Sequence, residues 1–110
     1  MSLVFSAFLP HPPLLLESIS GPNTDSLPKT RKSFEYLRDE LYVAQPDTII
    51  IIFPHGYGYD DSFGVSGHPL LQTNLRTFGD AITRETFPTD LELTSHLFEA
   101  CKKEEIRCSS

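Results

Sequence analysis

Two nearly continuous apolar segments of the chain each run into a Pro-His pair. Residues 3–9 read Leu-Val-Phe-Ser-Ala-Phe-Leu before Pro10-His11, and residues 47–53 contain Thr-Ile-Ile-Ile-Ile-Phe before Pro54-His55. Apolar side chains that do not alternate with polar ones are typical of strands buried on both faces, and isoleucine favours the extended conformation. We therefore predict a buried β-strand in each segment.

A helix is predicted between these two strands, over residues 28–44. Its apolar side chains recur at spacings of three, four and three residues and form one stripe, which consists of Phe34, Leu37, Leu41 and Ala44. Ser26 is the predicted N-cap, Pro28 suits the first turn, and Pro46 ends the helix. Strand, helix and strand make a βαβ unit, in which the strands are parallel and the crossover is right-handed.

After the second strand, the chain predicts a loop and several short strands. Residues 56–67 are rich in Gly, Tyr and Asp and indicate a loop with a short strand near residues 62–66. Short strands are also expected within residues 71–87, and another begins at residues 106–109. We predict a single partial domain over residues 1–110, the N-terminal part of a larger α/β domain with a mostly parallel sheet and flanking helices.

A second helix is predicted over residues 89–104. Thr89 and Glu92 fit a capping box, in which each side chain bonds the other's backbone N–H. The apolar stripe of this helix consists of Leu93, Leu97 and Cys101, with Phe98 beside it.

The net charge of −6 argues against two classes of partner. Nucleic acid requires a basic footprint, and an anionic membrane surface attracts basic segments. No apolar run has the length of a membrane span. Cys101 and Cys108 are too few for a secreted disulfide scaffold. We expect one buried thiol and one strand thiol in a reducing cytoplasm, with no nucleic acid and no membrane as partner.

The two Pro-His pairs are the strongest chemical signal in the chain. Parallel strands of one βαβ unit end at the same sheet edge, where open α/β folds bind ligands, and neighbouring strands are only about 4.8 Å apart. Neutral imidazole is a good ligand for Fe(II) and Zn(II). We therefore predict that His11 and His55 converge on one metal ion. The competing interpretation is that each is a loop residue with a local hydrogen bond.

No carboxylate in the chain is a convincing third ligand. Asp60 and Asp61 lie in a Gly-Tyr loop and are typical turn formers, Glu17 starts a solvated turn, and Asp80 suits a turn or cap. Two histidines with one carboxylate form the facial triad of non-haem Fe(II) oxygenases, and the same set suits a catalytic zinc. The residues alone do not separate the two metals. His96 suits a solvated or half-buried helix position.

Two blocks of the sequence resemble a known family. Phe8-Leu9-Pro10-His11-Pro12-Pro13-Leu14-Leu15 is similar to the N-terminal metal motif of the class III extradiol ring-cleavage dioxygenases, the superfamily of the protocatechuate 4,5-dioxygenase beta subunit. Residues 46–56, which end in Pro54-His55-Gly56, resemble the second metal strand of that family. The chain also looks like AmmeMemoRadiSam system protein B and, more distantly, the Memo proteins. The resemblance extends over nearly the whole chain and includes residues 78–80 and 90–93.

The resemblance implies a metal centre with an aromatic diol and dioxygen as substrates. His11 and His55 would be the two histidine ligands of Fe(II), with Zn as the alternative. Tyr57 would contact the substrate, with packing within the loop as the competing role. His68 would also face the substrate, with a polar loop residue as the competing interpretation. In the family, the glutamate ligand and the acid-base histidine lie in the C-terminal half. No motif in these 110 residues matches theirs. Association with a second copy or a second subunit stays open.

Two other functions are compatible with the same scaffold. The first is a Memo-like binding or adaptor protein without dioxygenase activity, and the second is a zinc-dependent hydrolase that uses the two histidines. Intact glutamate and histidine motifs in the remaining sequence would favour the dioxygenase, and their loss would favour the binding protein.

Overall fold

The computed structural model describes residues 2–21, 27–55 and 60–110. The chain divides into two units, which are Met1–Ile49 with Asn74–Arg84 and Ile50–Thr73 with Glu85–Ser110. We call them the first and the second unit and describe each by itself.

The first unit is mainly helical. It contains a 3₁₀ helix at Pro13–Leu15, a short helix α1 at Glu17–Ser20, the long helix α2 at Pro28–Ala44 and a second 3₁₀ helix at Arg76–Phe78. The bounds of α2 confirm the helix predicted over residues 28–44. All four members of its predicted apolar stripe are half-buried, so the stripe faces the unit.

The two ends of α2 are fixed in different ways. Leu27 occupies the N-cap without a side-chain cap, and the predicted cap residue Ser26 lies outside the described residues. At the other end, Gln45 adopts the left-handed conformation with φ of 49°, and its N–H donates to the Leu41 carbonyl. Pro46 follows and cannot continue the helix.

The described residues of the second unit form four short strands and one helix. The strands are β1 at Phe63–Gly64, β2 at Leu70–Gln72, β3 at Thr86–Pro88 and β4 at Cys108–Ser109, and helix α3 covers Leu91–Lys103. β1 pairs with β4 in parallel, and β2 pairs with β3 in antiparallel orientation. The short strands predicted after residue 62 are therefore confirmed. Helices with small parallel and antiparallel sheets make this a mixed α/β structure.

The N-cap of α3 is Asp90, so the predicted capping box of Thr89 and Glu92 is wrong by one residue. The Asp90 carboxylate accepts the Leu93 N–H at 2.9 Å. The Thr89 N–H instead donates to the Pro69 carbonyl at 3.0 Å, which ties this residue to the segment before β2. The prediction failed because two residues in succession can cap a helix, and the tertiary contact of Thr89 decides between them.

The prediction of a strand over residues 3–9 and of another over residues 47–53 is wrong for this structure. Neither segment is a strand in the part of the chain that the structure describes, so the predicted βαβ unit is not formed there. Ile50, Ile51 and Ile52 are 67%, 72% and 90% exposed. β-preference and apolarity produce a strand only when a hydrogen-bonded neighbour is present and other residues cover its faces. These segments therefore present their apolar side chains to solvent.

Two side chains among the described residues are buried, Cys101 in α3 and Asp80. Within the same residues, no helix combines the length and the apolar character that crossing a bilayer requires.

Asp80 organises the turn that follows the 3₁₀ helix Arg76–Phe78. Gly79 has φ of 96°, a conformation that favours glycine, and the Asp80 carboxylate then accepts the N–H groups of Ile82 at 2.9 Å and Thr83 at 3.0 Å. The prediction that Asp80 is a turn residue is confirmed. Hydrogen bonds from the Thr83 side chain and from the N–H groups of Thr83 and Ile82 lower the pKa of Asp80 well below its ordinary value of 3.8.

Acid should destabilise this turn through Asp80. A carboxyl group whose pKa is lowered by folding contributes stability that is complete above its ordinary pKa of 3.8 and is lost as the pH falls through the lower folded value. In Asp80→Asn the acceptor oxygen remains but the titration does not, so thermal unfolding should depend less on pH below about 5 than in the wild type. Asp80→Ala should be less stable at every pH. The same acid sensitivity in Asp80→Asn and the wild type would contradict this role.

Candidate metal centre

His11 lies in the first unit, between an extended apolar segment and a rigid turn. Its side chain is exposed. Pro12 and Pro13 restrict the backbone directly after it, and Pro13 occupies the first turn of the 3₁₀ helix. The N–H of Leu15 donates to the Pro12 carbonyl at 3.1 Å, and the N–H of Leu16 to the Pro13 carbonyl at 3.0 Å. The Pro-Pro-Leu-Leu sequence therefore holds the backbone that follows His11 in a defined position.

Arg31 connects this turn to helix α2. Its guanidinium donates to the Leu15 carbonyl at 2.5 Å and to the Leu14 carbonyl at 3.4 Å. Arg31 was not among the candidate residues predicted from the sequence. The sequence does contain an indication of this contact. Arg31 precedes Phe34 by three residues, so its charged side chain lies in line with the apolar stripe of α2. A half-buried arginine on an apolar helix face requires acceptors, and here two backbone carbonyls supply them.

His55 lies in the second unit, at the end of the exposed isoleucine segment, and its side chain is exposed as well. The predicted substrate residue Tyr57 follows it but lies outside the described residues. The chain continues through Asp61, whose carboxylate forms an ion pair with Arg107.

The other two histidines are on the surface of the second unit. His68 lies between β1 and β2 and is exposed, which is the position predicted for a polar loop residue. Its contact with a substrate stays a prediction. His96 is an exposed residue of α3, as the sequence predicted.

Comparison with known proteins gives the family. The family described as the catalytic LigB subunit of aromatic ring-opening dioxygenase matches residues 6–110. The chain belongs to this LigB family. The matched residues include both Pro-His pairs, and the resemblance stated from the sequence is thereby confirmed.

A relative of this LigB-family chain occurs in Clostridium acetobutylicum. Its designation is Protein CA_C1420, and it is 28% identical to the chain over 106 residues. The matched region includes 96% of this chain but 23% of the relative, so the chain spans about a quarter of the relative's length. No solved structure matches the chain.

The described residues do not form a complete metal site. They contain no group of three or more His, Cys, Asp or Glu side chains that could bind a metal ion together. His11 belongs to the first unit and His55 to the second, and their convergence on one ion stays a prediction. Two imidazoles fit Fe(II) or zinc as donors, but a catalytic site of this type requires a third protein ligand.

Proposed function

We propose that this LigB-family chain is the part of an Fe(II)-dependent extradiol ring-cleavage dioxygenase that supplies two metal ligands, His11 and His55. The observation that carries the proposal is the family match over residues 6–110, which includes both Pro-His pairs. Both histidine side chains are exposed, so each is accessible to a metal ion. A catechol-type aromatic diol and dioxygen are the proposed substrates.

The metal-binding roles follow from the chemistry of imidazole. A neutral ring donates one nitrogen to the metal, and a hydrogen bond at the other nitrogen fixes the direction of the ring. Fe(II), when bound, supplies a positive charge that makes the diol hydroxyl more acidic and a redox centre for reaction with dioxygen. The rigid turn after His11, held by Pro12, Pro13 and Arg31, limits the positions that this imidazole can take.

The rest of the site is proposed to come from sequence beyond these 110 residues. The chain spans 23% of the length of its Clostridium relative, and the described residues lack a third ligand. The further sequence would supply the carboxylate ligand and the acid-base residue, and it would complete a larger α/β domain. It would also cover the exposed apolar segments before His11 and His55. Tyr57 and His68 are proposed to contact the aromatic substrate.

The two free thiols fit a protein of a reducing cytoplasm, and we propose that location. The chain carries a net charge of −6, which disfavours nucleic acid and anionic membranes as partners. Association with a second copy or a second subunit is compatible with the large amount of exposed apolar surface.

Metal analysis combined with oxygen uptake tests the function. The whole protein that contains this chain should be purified without oxygen, loaded with Fe(II) and assayed on protocatechuate and other catechols. We expect about one iron per chain and oxygen consumption in equal amount to the ring-opened product.

Other outcomes would identify another function. Bound zinc without oxygen uptake would contradict the proposal and favour a zinc hydrolase. Absence of both metal binding and oxygen uptake would favour a binding protein on the same scaffold.

A further inference from the structure

Cys101 and Cys108 lie against each other in the second unit. Cys101 is near the end of α3 and is buried, whereas Cys108 begins β4 and is half-buried. The Cys108 S–H donates to the Cys101 sulfur at 2.7 Å, and both thiols are free. A disulfide joins sulfur atoms about 2.05 Å apart, so bond formation requires an approach of only about 0.7 Å from the observed 2.7 Å.

We propose that Cys101 and Cys108 are a redox-active pair that forms a reversible disulfide by exchange with a small anionic disulfide such as oxidised glutathione. Both cysteines line an open depression of about 590 Å³, through which a reagent can reach the half-buried Cys108. Lys102 and Arg107 line the same depression. Arg107 forms an ion pair with Asp61, which also lines the depression, so the net charge of the lining is +1 and favours a reagent that carries carboxylates. This modification does not depend on the proposed metal centre.

The exchange proceeds in two balanced steps. Cys108, the more exposed thiol, releases its proton to water, and its thiolate attacks one sulfur of glutathione disulfide. The sulfur–sulfur bond of the reagent breaks, and one glutathione thiolate leaves. Cys101 then loses its proton and attacks the Cys108 sulfur, which displaces the second glutathione thiolate. Both leaving thiolates take up protons, so two protein thiols are oxidised and one glutathione disulfide is reduced.

The surroundings of Cys108 set the rate of the first step. Its hydrogen bond to Cys101, assisted by burial, raises the pKa of Cys108 above the ordinary value of 9.0. Lys102, Arg107 and Asp61 are the charged residues that line the same depression, and Arg107 and Asp61 neutralise each other as an ion pair. The thiolate fraction is therefore small at neutral pH, and the rate of exchange should rise about tenfold per pH unit between pH 7 and 9.

Oxidation would fix the position of β4 relative to α3. β4 is held to β1 by hydrogen bonds from the Phe63 N–H to the Arg107 carbonyl at 2.9 Å and from the Val65 N–H to the Ser109 carbonyl at 2.8 Å. A covalent link at Cys108 restrains the strand that accepts these bonds. Hydrogen exchange at the amides of Phe63 and Val65 should therefore slow when the pair is oxidised.

Titration of the purified protein with glutathione redox buffers tests the proposal. After free thiols are alkylated, mass spectrometry of the wild type should show the loss of two hydrogen atoms and a peptide that links Cys101 to Cys108. Dithiothreitol should reverse both changes. The variant Cys101→Ser should stop at a stable glutathione adduct on Cys108, because no second thiol resolves it. Cys108→Ser should react at least about tenfold more slowly, because Cys101 is buried.

The same titration in concentrated urea shows whether the fold creates the pair. The disulfide of the native protein should persist at a ratio of reduced to oxidised glutathione at least about tenfold higher than the disulfide of the denatured protein, because the fold holds the thiols together. If the native and the denatured protein form the disulfide at the same glutathione ratio, the proposal is overturned. A wild type that ends as a stable glutathione adduct, without the internal bond, would also overturn it.

Discussion

Replacement of either His11 or His55 by alanine is expected to weaken Fe(II) binding by at least about 100-fold in the whole protein. Loss of an outer residue that only orients a ligand already costs about 10–100-fold in metal affinity, and loss of a ligand itself should cost more. Oxygen uptake on catechols should fall in parallel, because the metal holds both reactants. Competition with a coloured chelator measures the affinity, and an oxygen electrode measures the activity.

His96→Ala is the matched control for both histidine variants. His96 is also an exposed histidine, but it lies on helix α3 and is not part of a Pro-His pair. Its replacement should leave Fe(II) affinity and oxygen uptake unchanged. If Fe(II) affinity stays at the wild-type level in His11→Ala or in His55→Ala, the two imidazoles do not share one ion. Equal losses in all three variants would indicate a general effect of histidine removal rather than two specific ligands.

Ile52→Ala is expected to destabilise two forms of the protein to very different extents. In the 110-residue chain Ile52 is 90% exposed, so its truncation should change the free energy of unfolding by no more than about 0.5 kcal/mol. In the whole protein we propose that further sequence covers this segment, and the same truncation should cost about 2–5 kcal/mol, as for other buried isoleucines. Urea unfolding of both forms, with and without the substitution, measures the difference.

Ile82→Ala provides the control for this comparison. Ile82 is also 90% exposed, but it lies in the polar turn organised by Asp80 rather than in an apolar run. We expect its truncation to change stability by no more than about 0.5 kcal/mol in either form. A cost below 1 kcal/mol for Ile52→Ala in the whole protein would refute the proposed cover. The affected surface would then be a candidate for contact with another subunit.

The helices illustrate what local sequence predicts well. The apolar stripe from Phe34 to Ala44 and the proline at each end fixed the bounds of α2, since helix periodicity and proline stereochemistry act within a few residues. The turn role of Asp80 was predictable for the same reason. The cap of α3 was misplaced by one residue because the contact of Thr89 with Pro69 joins positions twenty residues apart in the chain.

At the candidate site too, local motifs were predictable and long-range contacts were not. His11 and His55 were identified from the Pro-His repetition alone, and the LigB family match includes both. The partners in the contacts around them could not be read from the sequence, because these contacts join distant residues. Arg31 holds the turn after His11 through the carbonyls of Leu14 and Leu15, and Arg107 pairs with Asp61 beyond His55.

By itself, the sequence determined the positions of helices α2 and α3, the short strands of the second unit, the family and the two candidate ligands. Each of these depends on local periodicity or on a short motif. Only the tertiary structure decided that residues 3–9 and 47–53 do not form strands in the described chain and that the Cys101 and Cys108 thiols are in contact. The physical reason is that strand pairing and burial require a partner distant in sequence, and the composition of a segment does not specify whether that partner is present.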